Sequence, residues 1–285
     1  MLPIEDETAN DNGPASNRGR VLIISGSDSG GGAGMQADIK TVTLLGGYAM
    51  SALTAITIQN TLGVQGIFDV PADIVRQQME AVLDDIGADA LKTGMLHRAD
   101  IVEAVAEVLS DKATDAALVV DPVMIAKGGA ALLEQSATDA LKQILIPLAT
   151  LITPNAPEAA ALTGREIHDL DGQKRAADAL LGLGADAVLI KGGHIEGETI
   201  FDVLATAETL EVFSSPRIDT RHTHGTGCTL ASAIATGLSF GLDISEAVAL
   251  AREYVHEAIR TAPGFGKGHG PVNHGHVLGP RDETD

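Results

Sequence analysis

Two patterns of apolar and polar positions alternate along this chain. Short unbroken apolar runs recur at Val21–Ile24, Leu118–Val120 and Ala187–Ile190, and Leu151–Thr153 reads as a further strand. Runs of that length fit strands covered on both faces of a sheet. Between them, apolar residues fall at helical spacing over 35–45, 73–86, 100–109, 137–145, from Ala159 onward, 173–183 and 244–261. A β-rich stretch at 51–58 and a short strand and turn at 89–95 add to the strands, and 199–204 pairs with 209–213 as a short β-hairpin. Such alternation predicts an α/β chain: a doubly wound, mostly parallel sheet flanked by helices, with right-handed crossovers.

One stretch, Arg221–Cys228, ends in glycines and opens a further helix in which Leu230, Ala233, Ile234, Gly237 and Leu238 share one packing face. The first N–H groups of a helix have no internal partner, and the dipole there is positive, so Gly225, Thr226 and Gly227 offer a place to hold an anion. Cys228, the single cysteine, stands at the same helix start. A thiol there is expected to favour its thiolate. The plainer alternative is a glycine turn beside a small buried hydrophobe.

Composition narrows the classes. The chain has 285 residues, 45% hydrophobic but only 2% aromatic, so aliphatic and alanine packing must form the core. One cysteine excludes an internal disulfide framework and fits a reducing compartment, hence a cytoplasmic expectation. No basic start leads into an apolar run, and no apolar stretch approaches membrane-spanning length. A formal charge of −20 with no basic patch argues against a nucleic-acid partner. It also means that an anionic substrate needs a metal ion, backbone N–H groups or placed lysines. Residues 1–18 read as a disordered acidic leader, 19–278 as a single domain and 279–285 as a flexible tail.

The remaining candidates stand where strands end. Ser25–Gly34 follows the first strand as a glycine-rich loop, either a tight turn or a phosphate site. It lacks the acidic residue about 20 positions on that a dinucleotide fingerprint needs, and the chain holds no P-loop. Gln59 can donate and accept at once, which suits a ring nitrogen beside an amino group, or it caps a loop. Asp121 suits a metal or a turn before Pro122. Asn155 and Glu158 start a helix as caps or sit near a metal. Lys191, beside two glycines, suits a phosphate or a surface turn. Lys127–Gly129 reads as a mobile loop. His269, His274 and His276 match no ordinary zinc spacing.

Gly26–Thr41, Gln59–Thr61, Lys92–Met95, Asp121–Met124, Thr153–Glu158, Lys191–His194 and His224–Cys228, in this order, resemble the hydroxymethylpyrimidine/phosphomethylpyrimidine kinases, a thiamine-pathway family of the ribokinase-like fold. The resemblance covers residues 20–277. Most of the wider fold carries aspartate at the position of Cys228, whereas cysteine is typical of this family and of a pyridoxal-kinase-like branch. The resemblance implies two phosphoryl transfers from ATP with Mg2+ in one site, first to 4-amino-5-hydroxymethyl-2-methylpyrimidine and then to its monophosphate, and a homodimer. It also implies roles. Gly225, Thr226, Gly227 and Cys228 would form the anion hole, with Cys228 as base. Gln59 would read the pyrimidine, with Asp38 and Gly26 near the substrate. Lys191 and Asn155 would serve ATP, and Asp121 and Glu158 the metal. Rivals are pyridoxal phosphorylation in the same site, a thiol hydrolase using Cys228 with His224, and a non-catalytic pyrimidine-binding regulator.

Overall fold

Strand β1 (Arg20–Asp28) shows how the sheet is built. Leu22 and Ile24 join one apolar cluster with Val75 and Met79 of α2 (Ala72–Asp85) and Ile101 and Val105 of α3 (Ala99–Lys112). Val21 and Ile23 join the other, with Val42 of α1 (Gly34–Leu44), Ile234 of α7 (Thr226–Ser239) and Val248 of α8 (Ile244–Arg260). Successive side chains of a strand point to opposite faces, so an unbroken apolar run feeds two cores at once. Each fully buried aliphatic side chain here contributes about 1.5–3 kcal/mol. The computed structural model describes residues 19–125, 129 and 132–279. The expected leader 1–18, Lys127 and Gly128 of the expected mobile loop, and residues 280–285 of the expected tail lie outside the described residues.

Nine strands form one sheet among the described residues, in the order β3 (Gly63–Asp69), β2 (Tyr48–Asn60), β1, β4 (Ala90–Thr93), β5 (Ala117–Val120), β6 (Leu151–Ile152), β7 (Ala187–Ile190), β8 (Thr199–Thr206), β9 (Leu210–Pro216). From β2 to β7 every pairing is parallel. β3 runs against β2, β8 against β7, and β9 against β8. Helices α4 (Gln135–Ala140), α5 (Ala156–Thr163) and α6 (Leu170–Leu181) pack on the α2–α3 face. The doubly wound, mostly parallel sheet and the β8–β9 hairpin are as expected. Strand order reverses beside β1, and ligands of open α/β sheets bind at such a point, outside the strands' carboxyl ends.

Two elements differ from the pattern-based reading. β3 was not expected, because Gly63 and Gly66 and the half-exposed residues between them break the apolar alternation. The helix α7 is not one-faced: all nine residues from Thr229 to Gly237 are buried, and Leu238, expected on the packing face, is only half-buried. It lies between the sheet and its neighbours α1 and α8, which its small residues allow. A Cβ on Gly237 would come 3.0 Å from the Ala247 Cβ of α8.

Candidate active site

The carboxyl ends of β1, β2, β5, β6 and β7 open on one cavity of about 1240 Å3. Gly26, Gln59, Asp121, Asn155, Glu158, Lys191, Gly225, Thr226, Gly227 and Cys228 all line it. At its centre the turn before α7 packs backbone to backbone on the glycine-rich loop. Gly225 is left-handed (φ 86°), and a Cβ there would lie 1.8 Å from the Gly32 carbonyl oxygen. Only glycine satisfies both constraints.

One corner of the cavity suits phosphate. Lys191 Nζ donates to Asp121 Oδ1 at 2.9 Å and lies 3.8 Å from Glu158 Oε2. A Cβ on Gly227 would be 3.2 Å from that Nζ and 3.7 Å from Asp121 Oδ2. Ammonium, carboxylate and helix tip therefore converge. No side chain caps the tip of α7, whereas Asn155, Asp169 and Asp243 cap α5, α6 and α8. Helices α2 and α3 also start without a side-chain cap, but the tip of α7 lines the cavity, so its partial positive charge faces that space. Burial by itself would lower the Lys191 pKa, but Asp121 and Glu158 more than offset it and hold the ammonium charged. Burial, with the Asp121 charge adding and Lys191 opposing, pushes Glu158 up to about 7.

Asn155 and Glu158 combine both readings left open by the sequence. Asn155 Oδ1 accepts from Glu158 N at 2.9 Å, and Glu158 Oε2 accepts from Asn155 N at 2.8 Å, a capping box that also lies on the cavity wall. Asp121 and Glu158 supply hard oxygen donors. Among the described residues no group of three His, Cys, Asp or Glu is placed to enclose an ion. That donor set fits Mg2+, which keeps waters and is held by one or two carboxylates together with substrate phosphates.

A second wall is built on Asp28, buried at the end of β1. Its Oδ1 accepts from Gly30 N, and its Oδ2 from Gly32 N and Ala33 N, which folds the glycine-rich loop around the carboxylate. Burial acts to raise the Asp28 pKa, but His224 and these N–H groups outweigh it and hold the carboxyl below its ordinary range. His224 Nε2 lies 2.9 Å from Asp28 Oδ2 and 3.3 Å from Gln59 Nε2, and Gln59 Oε1 lies 3.1 Å from Thr57 Oγ1.

The phosphomethylpyrimidine kinase family is matched over residues 28–273. The chain belongs to this family. It is 52% identical over 268 residues to the thiamine biosynthesis bifunctional protein ThiED of Geobacter sulfurreducens, covering 94% of this chain and 54% of that protein. It thus spans about half the length of that relative. It is 51% identical to the hydroxymethylpyrimidine/phosphomethylpyrimidine kinase of Streptomyces coelicolor, covering 91% of this chain and 95% of the relative. Among solved structures it resembles an ADP complex of Bacillus subtilis pyridoxal kinase (TM-score 0.86, 40% identity, 92% and 100% coverage). It also resembles the phosphomethylpyrimidine kinase of Clostridium difficile 630 (TM-score 0.76, 45% identity, 85% and 100% coverage). The ribokinase-like fold implied by the motifs is the fold of these kinases.

Two expectations for this family member change with the structure. Asp38, expected near the substrate, is fully buried outside the cavity lining, paired with Lys92 Nζ at 2.9 and 3.0 Å and with Ser232 Oγ at 2.7 Å. Sealed beneath the cavity, it cannot touch a ligand there. The thiol of Cys228 is not favoured as thiolate: burial pushes it up to about 12. The Lys92 charge and the Gly34 N–H pull it down, but Asp38 and Asp121 add to the burial effect. Desolvation beats the helix dipole because it acts on the whole charge, whereas the dipole supplies about half a charge.

Several kinase residues escaped the sequence reading. Lys92 had a signal: it stands in a strand whose four positions are all buried, and a buried lysine demands a partner. Asp202, Arg252 and Gln173 had none. Asp202 Oδ1 accepts from Gly192 N at 2.8 Å and its Oδ2 from Arg252 Nε at 2.7 Å. Gln173 Nε2 donates to the Ile190 and Phe201 carbonyls at 3.2 and 2.8 Å. Together they clamp the turn that carries Lys191, from elements remote in sequence.

Proposed function

We propose that this chain moves the γ-phosphoryl group of ATP to the hydroxymethyl oxygen of 4-amino-5-hydroxymethyl-2-methylpyrimidine, and then a second one to the resulting monophosphate, yielding the diphosphate used in thiamine biosynthesis. The observation that carries this reading is the meeting of Lys191, Asp121 and the uncapped tip of α7 in a cavity that also holds Gln59. Family membership and the ADP complex of a structural neighbour support the nucleotide.

Phosphoryl transfer passes through a loose transition state with charge spread over the transferred oxygens, so positioning and neutralisation do most of the catalysis. Lys191 and the N–H groups at the Gly225–Cys228 tip take that charge, and losing one such donor costs about 3 kcal/mol. Asn155 and Glu158 hold the neighbouring wall rigid through their mutual caps. Asp121 and Glu158 would hold Mg2+ or its waters, and the ion when bound neutralises phosphate charge. Gln59 reads the pyrimidine edge, and Gly26 lines the same cavity.

In the first transfer the hydroxymethyl oxygen bonds to the γ-phosphorus as the bridging P–O bond to ADP breaks, and the hydroxyl proton must leave. Cys228 accepts it as the thiolate, a form that burial makes scarce and the Lys92 charge assists. In the second transfer the acceptor is a phosphate oxygen that is already deprotonated, so no base is needed.

The likeness to pyridoxal kinase favours a second reading, phosphorylation of a pyridine hydroxymethyl in the same cavity. Mass detection of products with Mg-ATP separates the two. Mono- and diphosphates of the pyrimidine are expected, and their absence alongside pyridoxal phosphate would replace the first reading by the second.

We further propose a homodimer in the cytoplasm. Ile58, Leu62 and Phe68 expose about two thirds of their surface on the edge hairpin β2–β3, which suits cover by a second copy. A free functional thiol suits a reducing compartment. No helix among the described residues is long and apolar enough to cross a membrane. Light scattering at micromolar concentration checks the dimer.

A further inference from the structure

His224 has a role that its position in the glycine turn does not reveal. Asp28 receives three backbone N–H groups, from Gly30 at 2.8 Å, Gly32 at 3.0 Å and Ala33 at 2.8 Å. A carboxylate so surrounded is held ionised and can only accept. His224 Nε2, 2.9 Å from Asp28 Oδ2, therefore carries a hydrogen and donates it. The same Nε2 faces the Gln59 amide at 3.3 Å. Two N–H groups facing each other repel, so the amide turns its carbonyl oxygen toward His224, where it shares the one Nε2 hydrogen with Asp28 Oδ2.

The other end of the amide gives the same answer. It lies 3.1 Å from Thr57 Oγ1, and that hydroxyl donates its single proton to the Ser27 carbonyl at 2.8 Å. Thr57 Oγ1 is left as an acceptor, and the amide NH2 is the group it can accept from. Nitrogen and oxygen of an amide are told apart by their partners, and here both partners agree. One N–H and one carbonyl lone pair then remain on Gln59, which lines the cavity.

We propose that His224, held by Asp28, is a positioning residue that locks the Gln59 amide in the sense that reads a ring nitrogen beside an amino group. The inference rests on the pyrimidine reading above and names what gives it selectivity. In pyridoxal the ring nitrogen is flanked by carbons that carry no amino group, so a locked amide can donate to that nitrogen but leaves its carbonyl without a donor. His224 also leads directly into Gly225, so the residue that orients the ring reader is the one that begins the phosphate turn.

The test is steady-state kinetics of the full chain with Mg-ATP, the aminopyrimidine and pyridoxal, for wild type, His224→Leu, His224→Gln and Thr57→Val. His224→Leu should raise KM for the aminopyrimidine by about tenfold, the worth of one well-placed hydrogen bond, with KM for ATP unmoved. His224→Gln, whose side-chain N–H can still reach Asp28, should recover most of the loss. Thr57→Val frees the other end of the amide and should show the same KM signature, even if His224→Leu fails to fold. Equal losses on both acceptors and ATP, or no recovery with glutamine, would overturn the role of His224. A wild type that phosphorylates pyridoxal but not the aminopyrimidine would overturn the functional reading together with it. A wild type active on the aminopyrimidine, with KM unmoved in every variant, would overturn the role of His224 alone.

Discussion

Two lysine–aspartate pairs lie at the same edge of the sheet and differ in what they face. Lys92 and Asp38 are both 0% exposed, sealed between β4, α1 and α7. Lys191 and Asp121 have side chains 13% and 2% exposed, on the cavity wall beside the tip of α7. Their contact distances match at 2.9 Å. The difference lies in the third partner. Asp38 accepts from Ser232 Oγ and the first pair closes on itself, so it acts as a strut between α1, β4 and α7. Lys191 has Glu158 at 3.8 Å and open space beyond, so its charge is only partly used. A buried ion pair is weak evidence for stability and a cavity-lining one is a candidate for chemistry. Access decides between them.

The comparison can be broken most forcefully at the sealed pair. Lys92→Met should cost about 3–5 kcal/mol in denaturant unfolding, because Asp38 stays buried without its ion partner. Lys92→Met with Asp38→Leu should regain most of that. A stable single variant would show that the strut is not structural.

Next comes the open pair. Lys191→Ala should cut turnover about 10²–10³-fold. It should destabilise less than Lys92→Met, since Glu158 can take up a proton when the ammonium is gone. Unfolding as large as that of Lys92→Met, with turnover per folded molecule intact, would make both pairs struts.

Cys228 stands between the two pairs and sharpens the contrast. Cys228→Ala should slow the first phosphorylation about 10²-fold, and the second by less than tenfold because its acceptor is already ionised. Burial holds the thiol up near 12, so the thiolate fraction grows with pH across the neutral range. The first-step kcat/KM of wild type should therefore rise with pH between 6 and 9, at about tenfold per unit at most. A flat profile, or equal losses in both steps, would remove Cys228 as base.

The smallest effect concerns Glu158. Its folded-state pKa of about 7 lies above its ordinary 4.5, so the folded chain holds that proton more tightly. The stabilisation is complete below 4.5 and is lost as pH rises through 7. Glu158→Gln should flatten this part of the stability–pH curve, read by urea midpoints across the same window. An unchanged curve would mean that Lys191 keeps the carboxylate ionised throughout.

Much of this was legible beforehand, and the misses have physical causes. Val21–Ile24 and Ala187–Ile190 were readable as strands because a strand buried on both faces needs an unbroken apolar run. Glycines 225 and 227 marked the turn before α7 because close backbone approach needs glycine. Strand β3 was not readable, because its neighbour β2 supplies the register that its own residues do not. The pairing of Asp38 with Lys92 was also hidden, since local pattern says nothing about which residues 54 positions apart meet underneath a cavity.

By itself, the chain's order of apolar runs, glycines and isolated polar residues determined the alternating architecture, the edge of the sheet that binds ligands and the family. The architecture and that edge follow from local periodicity and from the fixed handedness of strand–helix–strand units, and the family from the likeness of the motifs. Only the tertiary structure decided which charged groups are sealed and which are open, that burial works against the Cys228 thiolate, and that Asp28, His224 and Gln59 stand in one line of polar contacts. Desolvation and hydrogen-bond direction depend on what surrounds a side chain in space, and the neighbours that set them come from opposite ends of the sequence.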